Sequence, residues 1–598
     1  MKRRLLAVVV AMITAVAGAA GAGNSISVPA AATVTVNGAV GYQKIDGFGF
    51  SEFFGRGAIM RGSQGLSDQK QKEVLDLLLS RSSGAGLSIL RLGIASGSGS
   101  IQPVNPGGPN ATPRYVWNGN DDGQVWLAKQ AKAYGVNRFY ADAWSAPGYM
   151  KTNGTDTNGG TLCGLSGATC ASGDWRRAYA NYLVQFTKFY AQEGIPITDL
   201  GFTNEPNWTT DYSSMRLTPA QAVEFSKVLG PMADTHGLNM ACCDVVGWDG
   251  QKTYTNAIEA DSTARGLVDL HTGHSYGSYP STRLATSKPT WMSEWSPDGT
   301  TWNEAWDDGS GYDGYRVANE IHTALTGGNV NGYVYWYGAS TGTTRGFIQL
   351  NGDAYRVSKR LWAMANYSRF IRPGATRIAA STSDSNLRIS SFRNTDGSVV
   401  MVALNAATSA NQVTFSLQNT GIGGGMATPY LTNSGNSMTA QPATAVSNGA
   451  FTATVPARSA VTYVVRGSDS ATRYEAETAP AVCSGTIDAD WPGYSGTGFC
   501  NGDNAAGAYA QFTVNAASAG TATIAVRFAN GTTTARPADL IVNGTRVQQV
   551  SFEGTGAWSR WISKTLTVNV GEGSNIIRFN PTGAGGLPNL DYVEHAPG

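Results

Sequence analysis

Asp199-Leu200-Gly201-Phe202-Thr203-Asn204-Glu205-Pro206 decides the fold. Its first six residues have the length and apolar content of a strand, and Glu205 stands at the C-terminal end. Residues 174–193 before it and 219–236 after it carry helical periodicity. The same alternation recurs on both sides. The other strand candidates are 47–52, 88–95, 138–144, 239–246, 268–276, 290–295 and 332–337. Amphipathic stretches at 68–82, 122–134, 252–265 and 312–326 lie between them, and Val74, Leu75, Leu78 and Leu79 share one face of the first. Strand–helix alternation predicts a parallel sheet with helical crossovers. Eight such units within 46–372 predict an α/β architecture, a (β/α)8 barrel of the TIM type. Chemistry in such a barrel sits where strands end and loops begin.

The pattern changes after Pro373. Residues 387–392 and 399–405 flank an Asp396-Gly397 turn, a hairpin signal, and 413–417 and 460–465 also alternate. These features predict a side β-sandwich over 373–466, joined by an N-terminal strand within 33–45. Residues 467–472 form a short polar linker, and 473–598 has evenly spaced strands, Gly-rich turns and no long helix. That pattern predicts a second β-sandwich.

The chain has 598 residues, 43 basic and 42 acidic, and a net charge of +1. Such balance offers no field for a phosphate backbone, so no nucleic-acid partner is expected. Charged residues are 14% of the chain and aromatic residues 10%, which suits an uncharged ligand met by aromatic surfaces. Met1-Lys2-Arg3-Arg4 followed by an apolar run to Val16 and small residues gives a secretory signal peptide over 1–32. That run is shorter than the ~20 residues a membrane span needs, so a secreted, extracellular monomer is expected rather than a membrane protein. Disulfides are the default in that compartment. Cys163 and Cys170 could close one loop and Cys483 and Cys500 another, while the state of the adjacent Cys242 and Cys243 stays open.

A second carboxylate matches Glu205. Glu294, in Trp291-Met292-Ser293-Glu294-Trp295, ends the seventh strand candidate, opposite the fourth across a barrel mouth. Glycosidic cleavage needs such a pair, one to protonate the leaving oxygen and one to act at the anomeric carbon or on water; the gap between them decides retention or inversion. Trp144, Tyr149, Tyr276, Trp295, Trp336 and Tyr337 fall at or just after strand ends, where aromatic faces can stack on sugar C–H groups. Asn204 can bond a sugar hydroxyl, and Arg91 can hold a neighbouring carboxylate ionised. His271 and His274 form an HxxH pair without a third ligand, so hydrogen bonding at the strand end is assigned to His274 in place of a metal. Gly47-Phe48-Gly49-Phe50-Ser51-Glu52 lacks the third glycine of a dinucleotide loop, and no esterase elbow with a triad is present. No cofactor for catalysis is expected.

Four segments carry a resemblance: 47–52, the stretch from Ala143-Trp144-Ser145-Ala146-Pro147 to Gly154, Asn204-Glu205-Pro206, and Trp291 to Glu294. Together they resemble glycoside hydrolase family 30, over about 32–466. The resemblance implies a retaining mechanism, with Glu205 as acid/base of raised pKa and Glu294 as ionised nucleophile beside Arg91. Residues 159–164 and 174–179 resemble the family's xylanase-type branch, which implies an endo-β-1,4-xylanase acting on (glucurono)xylan. Some members of that branch bind a glucuronic acid branch through an arginine after the second strand; residues 92–97 have none, and Arg345 is a candidate substitute. An endo-β-1,6-galactanase or other β-glycanase of the same fold is the alternative, and a non-catalytic wall-binding protein the distant one. Tyr474-Glu475-Ala476-Glu477 and 589–594 resemble a carbohydrate-binding module of family 35 or 6. That resemblance implies a structural Ca2+ held by Glu475, Glu477 and Asp591, and sugar contacts from Tyr494, Asn530, Arg536, Trp558 and Asn589.

Overall fold

The computed structural model describes residues 32–297, 299, 301–342, 345–467, 472–505, 507–516 and 519–597. The signal-peptide reading and most of the 467–472 linker lie outside them. Eight parallel strands form the barrel: β1 (Gly47–Ser51), β2 (Ile89–Ile94), β3 (Arg138–Ala143), β4 (Asp199–Gly201), β5 (Asn239–Val245), β6 (Leu270–His274), β7 (Thr290–Glu294) and β8 (Gly332–Ser340). Each pairs with the next, and β8 pairs with both β7 and β1, which closes the ring. Strands of a closed parallel barrel are covered on both faces, so they are near-continuous apolar runs; every residue of β2 is buried. Ile89, Tyr140, Ala241, Leu270, Trp291 and Val334 fill the bore as one cluster.

Most helices follow the periodicity. Asp68–Leu79 buries Val74, Leu75, Leu78 and Leu79. Pro219–Thr235 begins at a reciprocal cap, with Thr218 accepting from the Gln221 N–H and the Gln221 side chain accepting from the Thr218 N–H. Two departures have local causes. The expected 252–265 helix is two helices, Trp248–Ala260 and Ser262–Leu267, because Asp261 turns extended and its carboxylate caps the second. Between β8 and the last helix, Lys359–Ser368, a hairpin of Gly346–Asn351 and Ala354–Val357 extends the sheet, an addition that periodicity did not signal.

The strand Ala32–Lys44 is central to the side β-sandwich. It pairs antiparallel with Thr376–Thr382 and parallel with Asn411–Gln418, so both ends of the catalytic region build one domain. Val34, Val36, Phe415, Phe451 and Tyr463 pack in its core. The C-terminal module is two sheets of six and five strands around Phe512, Ile524, Phe528, Leu540, Phe552 and Phe579. Disulfides join Cys163 to Cys170, Cys483 to Cys500, and Cys242 to Cys243.

Barrel and side domain meet at a buried amide. Asn366, on the last barrel helix, donates to the Trp362 carbonyl and to Thr432 Oγ1, both at 2.7 Å, and accepts from Thr462 Oγ1 at 2.9 Å. Asn366→Ala removes these side-chain bonds, although Thr462 keeps the residue-366 carbonyl and Thr432 keeps the Met438 N–H, and the loss costs about 1–3 kcal/mol. The melting temperature should fall; an unchanged melt would show that the joint carries no stability.

Candidate active site

Arg91 on β2 is the centre of the arrangement. It is fully buried. Nη2 donates to Asp142 Oδ2 on β3 and to Asn204 Oδ1 beyond β4, both at 2.8 Å. Nη1 donates to Glu294 Oε2 at the end of β7. The ring of Trp144 lies over the guanidinium, 4.6 Å from centroid to carbon. Gly201 makes room for this crowding: a Cβ there would sit 2.2 Å from Asp142 Oδ1.

Glu205 and Glu294 face the same cleft, 8% and 5% exposed. Glu205 is held in the left-handed region, φ 48°, which is uncommon for a non-glycine residue and marks a functional turn. Its N–H donates to the Asp244 carbonyl at 2.9 Å, and Asp244, the bulged residue of β5, has φ 51°. One oxygen of Glu205, one of Glu294 and a ring nitrogen of His274 lie within 4.8 Å of one another. Glu294 Oε1 also accepts from the Tyr276 hydroxyl at 3.0 Å.

Behind the two glutamates lies a second polar layer. His274 Nδ1 is 3.0 Å from Glu205 Oε1, and Nε2 is 3.2 Å from Asp244 Oδ1. Asp244 further accepts from Tyr140, Thr272 and Ser293 hydroxyls. Burial alone would raise Asp244, but the Arg91 charge and the His274 bond hold it well below the carboxylate range. Burial opposes the His274 charge as well, yet Glu294, Asp244 and Glu205 together hold its pKa up at about 10. For Glu294, burial pushes the carboxyl up from its ordinary value, against the pull of His274 and Arg91.

The cleft, about 520 Å³, is lined by Trp144, Asn204, Tyr276 and Trp336 as the sequence proposed, and by Tyr337. Other assignments move. Arg91 and His274 are fully buried and touch the carboxylates, so neither can contact substrate directly. Trp295 is buried and packs edge-on against Tyr279, away from the cleft lining. Tyr149 packs edge-on against Trp175 and donates to the Gln102 carbonyl. Phe54, Arg56, Trp208, Tyr212 and Arg345 also line the cleft. Trp208 and Tyr212 follow Glu205 within one loop, and that position was the available signal.

In the module, Arg536 reaches Asn504 and the Leu587 carbonyl and stacks on Trp558 at 5.1 Å. Asn530 is fully buried, its amide bonded to the Thr534 and Phe552 carbonyls, so it fixes loops and cannot meet a sugar. Asn589 lies in the strand Asn589–Pro597 and is 4% exposed. Tyr494 sits apart from these, packed on Phe499 next to the acidic group. There, Glu475 accepts from Ser495 Oγ and Glu477 from the Thr497 N–H, while Oε2 of each is buried without a partner. Asp591 accepts from the Ser495 N–H and pairs with Arg527.

Comparisons with known proteins agree with this fold. Residues 45–242 match the glycosyl hydrolase family 30 TIM-barrel domain and 374–463 the family 30 beta sandwich domain. Residues 508–594 match a model described as the alpha-galactosidase CBM13 domain, in keeping with a C-terminal carbohydrate-binding module. The structure is similar to the catalytic domain of a family 30 xylanase C from Talaromyces cellulolyticus, with TM-score 0.69 and 42% identity, covering 73% of this chain and 100% of that one. A glucuronoxylanase, XynC, of Bacillus subtilis (strain 168) is 28% identical over 358 residues, 57% of this chain and 77% of its own. The C-terminal module is 46% identical over 121 residues to an exo-beta-D-glucosaminidase of Amycolatopsis orientalis, but the chain spans only 12% of that protein's length. With both domains of the family matched in order, and a 42% identical relative covered in full, the chain belongs to glycoside hydrolase family 30.

Proposed function

We propose that the protein is a secreted, retaining endo-β-1,4-xylanase that cleaves (glucurono)xylan by double displacement. The observation that carries this reading is the approach of Glu205 and Glu294 oxygens to within 4.8 Å. Inverting enzymes leave a water between their carboxyls and hold them about 6.5–9.5 Å apart; retaining pairs stand at about 5–5.5 Å. Glu205 gives its proton to the glycosidic oxygen while Glu294 bonds to the anomeric carbon. Glu205 then takes a proton from the water that cleaves the glycosyl ester. Arg91 and Tyr276 hold the nucleophile from two sides. Asn204, its oxygen taken by Arg91, turns its amide donor to the substrate. The two xylanases named above support the substrate. Arg56, stacked on Tyr337 at 4.7 Å, and Arg345 place guanidinium groups along the cleft, which supports acceptance of an anionic branch. The leader and three disulfides support secretion.

Calcium belongs to the same proposal. Two buried carboxylate oxygens without partners, on Glu475 and Glu477, suit a hard cation with oxygen ligands. Burial and their mutual repulsion with Asp591 raise Glu475, the effect a cation would relieve. Asp591 would join them after releasing Arg527. The module would then tether the barrel to insoluble polysaccharide and raise its local concentration.

Incubation with glucuronoxylan, arabinoxylan and β-1,6-galactan, with products read by mass, should give xylo-oligosaccharides, and NMR should show the β-anomer first. Galacto-oligosaccharides alone would overturn the substrate, and the α-anomer first would overturn retention. Glu294→Ala should lose about 10³-fold or more in kcat and keep its circular dichroism; retained activity would remove Glu294 from the mechanism. A calcium chelator should lower the melting temperature of the module, and a melt insensitive to chelator would remove the cation.

A further inference from the structure

A fully buried carboxylate, Asp244, is not needed by either glutamate's own chemistry, yet five side chains converge on it. Its oxygens accept from Tyr140, Thr272, Ser293 and His274, and Arg91 Nη2 stands 3.8 Å from Oδ1. The same residue receives the Glu205 backbone N–H. Asp244 therefore fixes Glu205 twice, through the main chain and through His274.

We propose that Asp244 is a positioning residue for the acid step: it holds a proton on each ring nitrogen of His274, which then donates to Oε1 of Glu205 and confines the transferable proton to Oε2. The assignment follows from hydrogen-bond direction. Both ring nitrogens face carboxylate oxygens, Nε2 toward Asp244 and Nδ1 toward Glu205. With Asp244 ionised, Nε2 carries hydrogen in either charge state of the ring. A neutral ring would leave Nδ1 as an acceptor and draw the Glu205 proton inward onto Oε1. A charged ring makes Nδ1 a donor, so Oε1 accepts and the acid proton sits on Oε2. Among the described residues no hydrogen bond engages Oε2, and Glu205 lines the cleft.

In the step itself, the O–H bond at Oε2 breaks and the glycosidic oxygen takes the proton. The C1–O electron pair leaves with that oxygen, and Glu294 supplies a new pair to C1. His274 keeps both protons and offsets the charge that appears on Glu205. Titratable groups face His274 from several strands: Glu205 after β4, Asp244 at the end of β5, Glu294 on β7 and Asp142 on β3, whose carboxyl burial pushes well up, with Arg91 of β2 beyond them. With Glu205 protonated for the acid step, Asp244 and Glu294 are the carboxylates that favour the ring charge, and its elevated pKa of about 10 agrees.

This rests on Glu205 being the acid, so the test has an arm that needs no substrate. The full chain, with its five histidines, is labelled with 15N-histidine, and His274 is assigned by the His274→Gln variant. Both ring N–H signals of His274 should persist through about pH 9, and a titration near 6.5 would overturn the proposal. The second arm compares Asp244→Asn with wild type on the polysaccharide the wild type cleaves and on its dinitrophenyl glycoside, whose leaving group departs without a proton. kcat/KM should fall about 100-fold or more on the polysaccharide and no more than about fivefold on the dinitrophenyl glycoside. Equal losses on both would reduce Asp244 to a structural part and overturn the proposal. Should Asp244→Asn fail to fold, the histidine spectrum of the wild type decides alone. A wild type that releases galacto-oligosaccharides would change the substrate and leave both arms intact.

Discussion

The site depends on a buried guanidinium. Arg91 is sealed from water, and a lone cation there would be costly. It is tolerable only because Asp142, Asn204 and Glu294 bring oxygens to it from three other strand ends. Those same contacts fix the position of Glu294 relative to Glu205. Removing an acidic partner would leave charge uncompensated in a dry interior, so the constraint acts on β2, β3, β4 and β7 together. The small residue at Gly201 follows from it, since any side chain there would strike Asp142.

Around this core the barrel separates two kinds of polar group. Glu205, Asn204 and Tyr276 reach the cleft, while Arg91, His274 and Asp244 stand behind them in the dry interior. In low dielectric each hydrogen bond is stronger and each unpaired group more costly, so the inner layer has little freedom to rearrange. The outer layer meets solvent and substrate, and its aromatic rim extends to Trp208 and Tyr212, which are 53% and 43% exposed. Rigid placement behind and exposed aromatic surface in front suit a polysaccharide substrate.

The side β-sandwich shows a similar economy of topology. Its central strand, Ala32–Lys44, precedes the barrel, and its remaining strands follow it, so the domain cannot form until both flanks of the catalytic region meet. Asn366 and the bidentate pair of Arg458 with Asp307 tie it to the last barrel helix and the loop before Gly314–Thr323. The C-terminal module has its own core and its own acidic group.

The eight barrel strands, most of the helices between them, the two-part side domain and the pairing of Glu205 with Glu294 were legible in the sequence. Burying one face of a helix or both faces of a strand leaves a local period in the chain, and strand ends in a barrel are fixed by their order. Sequence alone failed where position depends on contacts distant along the chain. Arg91 and His274 have the composition of substrate ligands, but closure of β8 on β1 puts them behind the cleft. Asn530 has the look of a sugar contact, yet its loops fold inward around it. Nothing local in Cys242-Cys243-Asp244 signals that β3, β6 and β7 will each direct a hydroxyl at one carboxylate. Those convergences are tertiary: each partner comes from a different strand, and only the closed barrel brings them within hydrogen-bond reach.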